Sequence, residues 1–326
     1  MKKFLLTFLI TIVFNSSRLE LNEGFPIWLK DGHEHTDQTS GITFIGEKNG
    51  KKFFLICDDI GKIHRISLNG SKLKIETIKF DKSVEKFLDN FEKKDFEEIV
   101  YDRKTGNVFL SIEGNGPDYK REVGLYILKF KNDDVFSDEI VKIEKVNFQD
   151  WDAITRFTSN NIGFEGVGVS DTKIFLGLEG FQFGDLFLDS TVIYVIDKNS
   201  KKLIKEISTK DLKIYTICGL YAVNDYKLFG IDRNQQNFFE IKFNKNYEVE
   251  YSQIVKLDLP VPGNKELKYV AAIESITLDN ENYVYVVDDP WKKFYIPPSY
   301  ILDQLSEKDR ENFKTFIPLL FKYKLN

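Results

Sequence analysis

The sequence is poor in the residues that usually announce chemistry on their own. Among 326 residues there are two cysteines, three histidines and one methionine. Two cysteines cannot staple a scaffold with several disulfides or build a four-thiolate zinc centre. Cys57 and Cys218 fall in the first and fourth of the repeats described below, so no disulfide is expected between them. Positive charge is not in excess either. Lysine and arginine number 46 against 51 acids, a net charge of −5, which leaves no electrostatic footprint for nucleic acid. No Gly-x-Ser-x-Gly elbow and no His-Glu-x-x-His helix is present, so serine-hydrolase and zinc-protease chemistry have no support. His33, His35 and Asp37 lie close together in a polar stretch, where solvated side chains are a better reading than a metal pair.

Long apolar runs are also missing. The apolar run Phe4–Phe14 is eleven residues, too short to span a bilayer. With Met1-Lys2-Lys3 before it and Asn15-Ser16-Ser17 after it, it has the layout of a secretory signal. The expectation is therefore an exported protein, periplasmic or secreted, with residues 1–17 as leader. Residues 18–326 would form one domain, a monomer with no membrane span.

What is present is aromatic and repetitive. Twenty-nine Phe and 15 Tyr suit strand faces better than helices. Five related phrases begin near Ser40, Asp95, Asn160, Ile217 and Ala272. Their first marked positions are Ser40, Glu97, Glu165, Cys218 and Glu274, spaced 57, 68, 53 and 56 residues apart. Their second marked positions, Asp58, Glu113, Glu179, Asp232 and Asp288, follow 18, 16, 14, 14 and 14 residues later. Repeats of about 40 to 50 residues, each of several short strands, indicate propeller blades. The fold class is all-β: a five-bladed β-propeller.

The last repeat lacks an outer strand, and a closed ring must hide its edges. The apolar segment around Trp28 predicts an N-terminal strand that completes blade five. Between Trp291 and Ile317 the same repeat carries an insert with helical spacing (Ile301, Leu302, Leu305, Phe313). At this length it reads either as a lid over the pocket or as a cap on the edge of the blade. Residues 81–94 predict a connecting helix.

In a blade the start of strand one and the end of strand two share a face. Ser40, Glu97, Glu165, Cys218 and Glu274 should therefore ring the channel mouth. Asp58, Asp59, Glu113, Glu179, Asp232, Asp288 and Asp289 should form a wider circle. Carboxylates packed this closely raise one another's pKa unless a cation intervenes, and Ca2+ takes six to eight oxygen ligands. Hydrogen bonding of each acid to backbone amides is the competing account.

The phrases DFEEIVYD, GFEGVGVS and AIESITLD, with IDRN and VVDDPW, resemble motifs of the phytase-like (esterase-like) propeller proteins. The ring of Ser, Glu, Glu, Cys and Glu is also similar to that of the calcium-activated nucleotidases, with Cys218 departing from their serine. The resemblance implies hydrolysis of a phosphoester at a Ca2+-centred pocket. Ser40, Glu97, Glu165 and Glu274 would bind the metal. Asp289 or Glu179 would activate water, and Asp58, Asp59, Glu113, Asp232, Arg233 and Asp288 would surround the small-molecule ligand. Arg233 is the basic residue in the register, and Lys292 and Lys293 are near enough in sequence to reach in. The other hypothesis is a non-enzymatic propeller that binds a ligand or partner with structural Ca2+. A phosphohydrolase pocket should hold at least two cationic side chains.

Overall fold

The computed structural model describes residues 18–184 and 186–326; the expected leader, residues 1–17, lies outside them. Five antiparallel sheets are arranged around a central channel. Blade one consists of Thr39–Lys48, Lys51–Asp58, Lys62–Asn69 and Lys72–Thr77. Blade two has Phe96–Asp102, Asn107–Ile112, Gly124–Phe130 and Glu139–Lys145, with Lys79–Phe80 added in parallel at its outer edge. Blade three has Gly166–Val169, Lys173–Gly177, Val192–Asp197 and Leu203–Ser208. Blade four has Gly219–Asn224, Lys227–Asp232, Asn237–Phe243 and Val249–Lys256. The first strands of neighbouring blades touch all the way round, blade five meeting blade one.

The alternation that makes each strand two-faced also divides the core. Five apolar clusters form, one at each seam between adjacent blades. Phe54, Tyr285 and Leu320 lie in the seam between blades five and one, and Phe175, Ile217 and Phe239 in that between three and four. Asn49 and Gly50 both take positive φ (53° and 70°) at the tip of the first hairpin, the conformation a two-residue turn between twisted strands requires.

Blade five is composite. Ile273–Leu278, Tyr283–Asp288 and Leu319–Leu325 supply three strands. Leu19–Leu21 pairs antiparallel with the last of them (Leu19 with Leu325, Leu21 with Tyr323), and Ile27–Trp28 pairs with Leu320 and Leu319. The N-terminal segment closes the ring as expected, with Leu19–Leu21 joining the Trp28 region.

The insert of blade five holds two short helices, Ser299–Leu302 and Glu307–Lys314. They are part of the fold. Ile301, Leu305 and Phe313 are buried in the core shared by blades four and five. Trp28 packs edge-on against Phe313 at 4.7 Å, and its Nε1 donates to Asp309 at 2.7 Å. The helical part thus caps the blade, and the lid reading is overturned for it. The helix expected in residues 81–94 forms at Lys82–Leu88, where Asp81 accepts from Ser83 N at 2.8 Å and Val84 and Leu88 are buried. Both cysteines are free and buried. Among the described residues no helix is long and apolar enough to cross a membrane.

Candidate functional site

The acidic mouth is built by a defect repeated from blade to blade. In blade one Thr39 pairs with Asp58 and Gly41 with Cys57, leaving Ser40 extra. The same interruption leaves Glu97 extra in blade two and Glu274 in blade five. A bulge bends its strand and re-aims the extra side chain, here into the mouth. In blades three and four the ladder begins at Gly166 and Gly219, one residue after Glu165 and Cys218.

The end of strand two repeats as well. Asp59 N donates to Gln38 O at 3.0 Å, Glu113 N to Asp95 O at 2.9 Å, Glu179 N to Gly163 O at 3.0 Å and Asp289 N to Ala272 O at 2.8 Å. Each acceptor lies two residues before the first marked position. By this register Arg233 is the blade-four counterpart of Asp59, Glu113, Glu179 and Asp289.

A cavity of about 250 Å³ results, lined by Ser40, Glu97, Glu165 and Glu274 with Asp59, Glu113, Glu179, Arg233 and Asp289. Cys218 is buried behind it, its sulfur near Glu165 and Glu274. Asp58, Asp232 and Asp288 do not reach it, and their expected place in the outer circle is corrected. Each sits one residue earlier, turned into its own blade. Asp58 accepts from His64 Nε2 and Asp37 N at 2.9 Å. Asp232 accepts from Tyr215 N at 2.8 Å and Thr216 Oγ1 at 2.9 Å. Asp288 accepts from Tyr269 OH at 3.0 Å and Leu319 N at 2.5 Å. These three tie the blade end together.

Four lining residues carry signals not read from the sequence: Lys93, Asp95, Gln38 and Asn161. Lys93 Nζ lies 2.5 Å from Asp95 Oδ1 and 3.5 Å from Asp59 Oδ2. Gln38 and Asp95 occupy the position two before the bulge, so the repeat could have revealed them. Lys292 and Lys293 stay outside the lining; Lys292 Nζ lies over the Trp291 ring at 3.6 Å. Trp291 itself reaches the rim.

Arg233 organises one side of the mouth. Its Nη1 donates to both oxygens of Glu274, at 2.6 and 2.7 Å, and Nη2 donates to Glu179. Glu165 Oε2 lies 3.8 Å from Nη1. A guanidinium therefore stands among the carboxylates expected to share a central Ca2+. On the side of blades two and three the balance differs. Asp95, Glu97 and Glu113 bring oxygens within 4.8 Å of one another, as do Glu113, Glu165 and Glu179. Glu113 is 3% exposed, and its Oε1 has no hydrogen-bond partner among the described residues.

Eight carboxylates line the cavity against two cations. Burial first, then mutual repulsion, pushes Glu97, Glu113, Glu179 and Asp289 well above the usual carboxylate range. Burial raises Glu165 and Glu274 to about 7 although Arg233 opposes it. Asp59 also reaches about 7, with Lys93 opposing. Burial disfavours the Lys93 ammonium, but Asp95 and Asp59 outweigh it and raise its pKa.

Below this mouth the channel is closed by close packing. A Cβ at Gly41 would lie 2.9 Å from Glu98 Cα, and one at Gly219 would lie 2.8 Å from Ser275 Cα. Ser275 Oγ accepts from Ile42 N at 3.0 Å and donates to Glu98, whose oxygens lie at 2.7 and 2.8 Å.

No protein-family model and no curated protein matches the chain. Solved structures do. A GH43_1 enzyme from Xanthomonas citri, complexed with xylose, is 10% identical, with a TM-score of 0.51 over 92% of this chain and 89% of that one. A PQQ-bound aldose sugar dehydrogenase from Streptomyces coelicolor is 7% identical, with a TM-score of 0.49 over 95% and 99% of the two chains. At such identity the first likeness shows the fold alone, a β-propeller, and the second carries no argument.

Proposed function

We propose that the acidic mouth is a divalent-cation site suited to Ca2+, and that the protein hydrolyses a phosphoester held there through the ion. One observation carries the reading: the buried Glu113 oxygen without a partner among the described residues, beside Asp95 and Glu97, none of which Arg233 hydrogen-bonds. The donors are all oxygen, the ligand type that hard cations take. Arg233 engages Glu274, so the fitting set is Asp95, Glu97, Glu113 and Glu165 in place of the symmetric ring that included Ser40 and Glu274. The likeness of DFEEIVYD, GFEGVGVS and AIESITLD to phytase-like propellers supports the same reading. Export, expected from residues 1–17, would place the pocket where weak calcium sites are filled.

Without a bound ion, eight carboxylates repel a phosphate; when bound, the ion supplies positive charge and polarises a phosphoryl oxygen. Burial raises Asp289 well above the usual carboxylate range, a shift that favours its acid form and suits it to give a proton to a leaving alkoxide. Glu179 lines the cavity, held by Arg233, and can take a proton from water when ionised. Trp291 covers the rim.

A second reading, a ligand-binding propeller with structural Ca2+, is favoured by a different observation. Neither cation in the pocket is free: Arg233 is committed to glutamates and Lys93 to Asp95. A panel of nitrophenyl phosphomonoesters and phosphodiesters, run with millimolar Ca2+ and with chelator, separates the two. The expected result is turnover with Ca2+ that disappears with chelator and in Glu113→Gln. A Ca2+-dependent rise in melting temperature without turnover selects the binding reading. A nitrophenyl xyloside arm checks the sugar chemistry named for the Xanthomonas enzyme, and turnover of that substrate alone would overturn the phosphoester assignment.

A further inference from the structure

The channel has a second mouth, on the face away from the acids. A cavity of about 420 Å³ opens there, within the size range of small-molecule pockets, and it shares no lining residue with the acidic one. Its wall is the apolar part of the strand-one ring, with Phe44, Val100, Leu220, Ile276 and Leu278 contributed by blades one, two, four and five and Gly168 by blade three. Its rim carries charge. Asp102, Arg103 and Lys104 form the tip of the first hairpin of blade two, and Ser170, Asp171 and Asp225 face them from blades three and four.

The rim acids are committed. Asp102 forms a buried ion pair with Lys198 at 2.9 Å and accepts from Thr105 Oγ1 at 2.6 Å and Lys104 N at 3.1 Å. Asp225 accepts from Ser170 Oγ and Thr172 Oγ1, each at 2.6 Å. Asp171 lies 3.8 Å from Lys104. These bonds fix the turn that presents Arg103. The Arg103 guanidinium stacks over Phe44 at 4.8 Å, and among the described residues its one hydrogen bond runs from Nη1 to Asn280 Oδ1 at 2.5 Å. Nε and Nη2 remain as a donor pair, the edge that a carboxylate or sulfonate matches. Tyr221 lines the cavity beneath it, its phenol pKa raised by burial.

We propose that this second mouth binds a small organic anion with an apolar body, its acid group on Arg103 and its body against Phe44, Tyr221 and Leu278. Lys104 adds long-range attraction and the fixed hairpin lowers the ordering cost of binding.

The test uses the whole folded protein with two fluorescent probes, the anion 8-anilinonaphthalene-1-sulfonate and its uncharged relative N-phenyl-1-naphthylamine. The sulfonate should bind once per chain and be displaced by 4-phenylbutyrate. Arg103→Glu should weaken it at least tenfold while changing the neutral probe less than threefold, and Arg103→Lys should fall between. Val223→Trp, at an exposed rim position, should weaken both probes by crowding the mouth. Melting temperatures confirm that each variant is folded. Glu113→Gln, in the other mouth, should leave both probes unchanged. Equal sulfonate affinity in wild type and Arg103→Glu, or loss of binding in Glu113→Gln alone, overturns the proposal.

Discussion

The two mouths of one channel lie at opposite ends of the same five inner strands and have opposite chemistry. At the acidic mouth a repeated bulge swings a polar side chain inward from blade after blade, and the strand-two ends add a second polar tier. At the other mouth strand one is interrupted as well, after Phe44 in blade one and after Ala222 in blade four, but the wall it presents is largely apolar. The difference lies in which residues those irregularities turn toward the axis. One added residue at the head of a strand changes which faces meet at the axis. The acidic mouth consequently stores repulsion, whereas at the far mouth Asp102 and Asp225 are bonded to their neighbours and Arg103 donates one hydrogen bond to Asn280.

The largest expected effect comes from removing the counter-charge. Arg233→Leu should destabilise the protein by about 3–5 kcal/mol in denaturant unfolding, because buried carboxylates lose their partner. A loss under ~1 kcal/mol would mean that those carboxylates are already neutral without it.

The pH response should be next. Asp59, Glu165 and Glu274 have folded-state pKa values raised to about 7, above their unfolded values near 4. Between those limits the folded state holds more protons than the unfolded one, so these groups make stability fall as pH rises through about 7, and the higher-shifted Glu97, Glu113, Glu179 and Asp289 act in the same direction. Each such group can contribute a slope of up to about 1.4 kcal/mol per pH unit. Unfolding measured at pH 5 and pH 8 checks this, and Arg103→Ala should leave the slope unchanged.

Calcium sharpens the contrast further. At a hundredfold excess over its dissociation constant it should add about 2.7 kcal/mol by mass action. It should do so more strongly as pH rises and the carboxylates give up their protons. Glu113→Gln should abolish most of this gain in a thermal melt. The smallest effect belongs to the far mouth. Arg103→Ala, at an exposed hairpin tip, should change stability by no more than about 0.5 kcal/mol, and a larger loss would show that it holds the fold together.

Much of the architecture was legible because it is repeated. Five phrases gave five blades, and the unpaired last blade pointed to an N-terminal strand. The inner ring was legible too: Ser40, Glu97, Glu165 and Glu274 all reach the acidic mouth. What failed was the choice between adjacent acids. Asp58 and Asp59, or Asp288 and Asp289, look alike in sequence, yet one turns into the blade and the other into the mouth. Alignment by acid type matched Glu113 to Asp58, whereas the backbone bonds match it to Asp59. The same offset hid the equivalence of Arg233 to the acids. Lys93 escaped because it precedes the repeat. The insert stayed undecided between lid and edge cap for another reason: helical spacing shows which residues face inward, but not which body they face.

The seam of blade five has a consequence for how the molecule is made. Leu19 pairs with Leu325 and Leu21 with Tyr323, so the last gap is bridged by segments about 300 residues apart along the polypeptide. The entropy of bringing such ends together grows only slowly with separation, so this junction is held at little extra thermodynamic cost. In time, however, it is demanding. During synthesis, blades one to four can stack as they emerge, but the ribosome must deliver Leu319–Leu325 before the circle can shut. Until then Leu19–Leu21 has nothing to pair with, and both lips of the open ring are bare strand edges. A chain in which Leu319–Leu325 has not yet docked would therefore expose unpaired edges open to pairing with another chain.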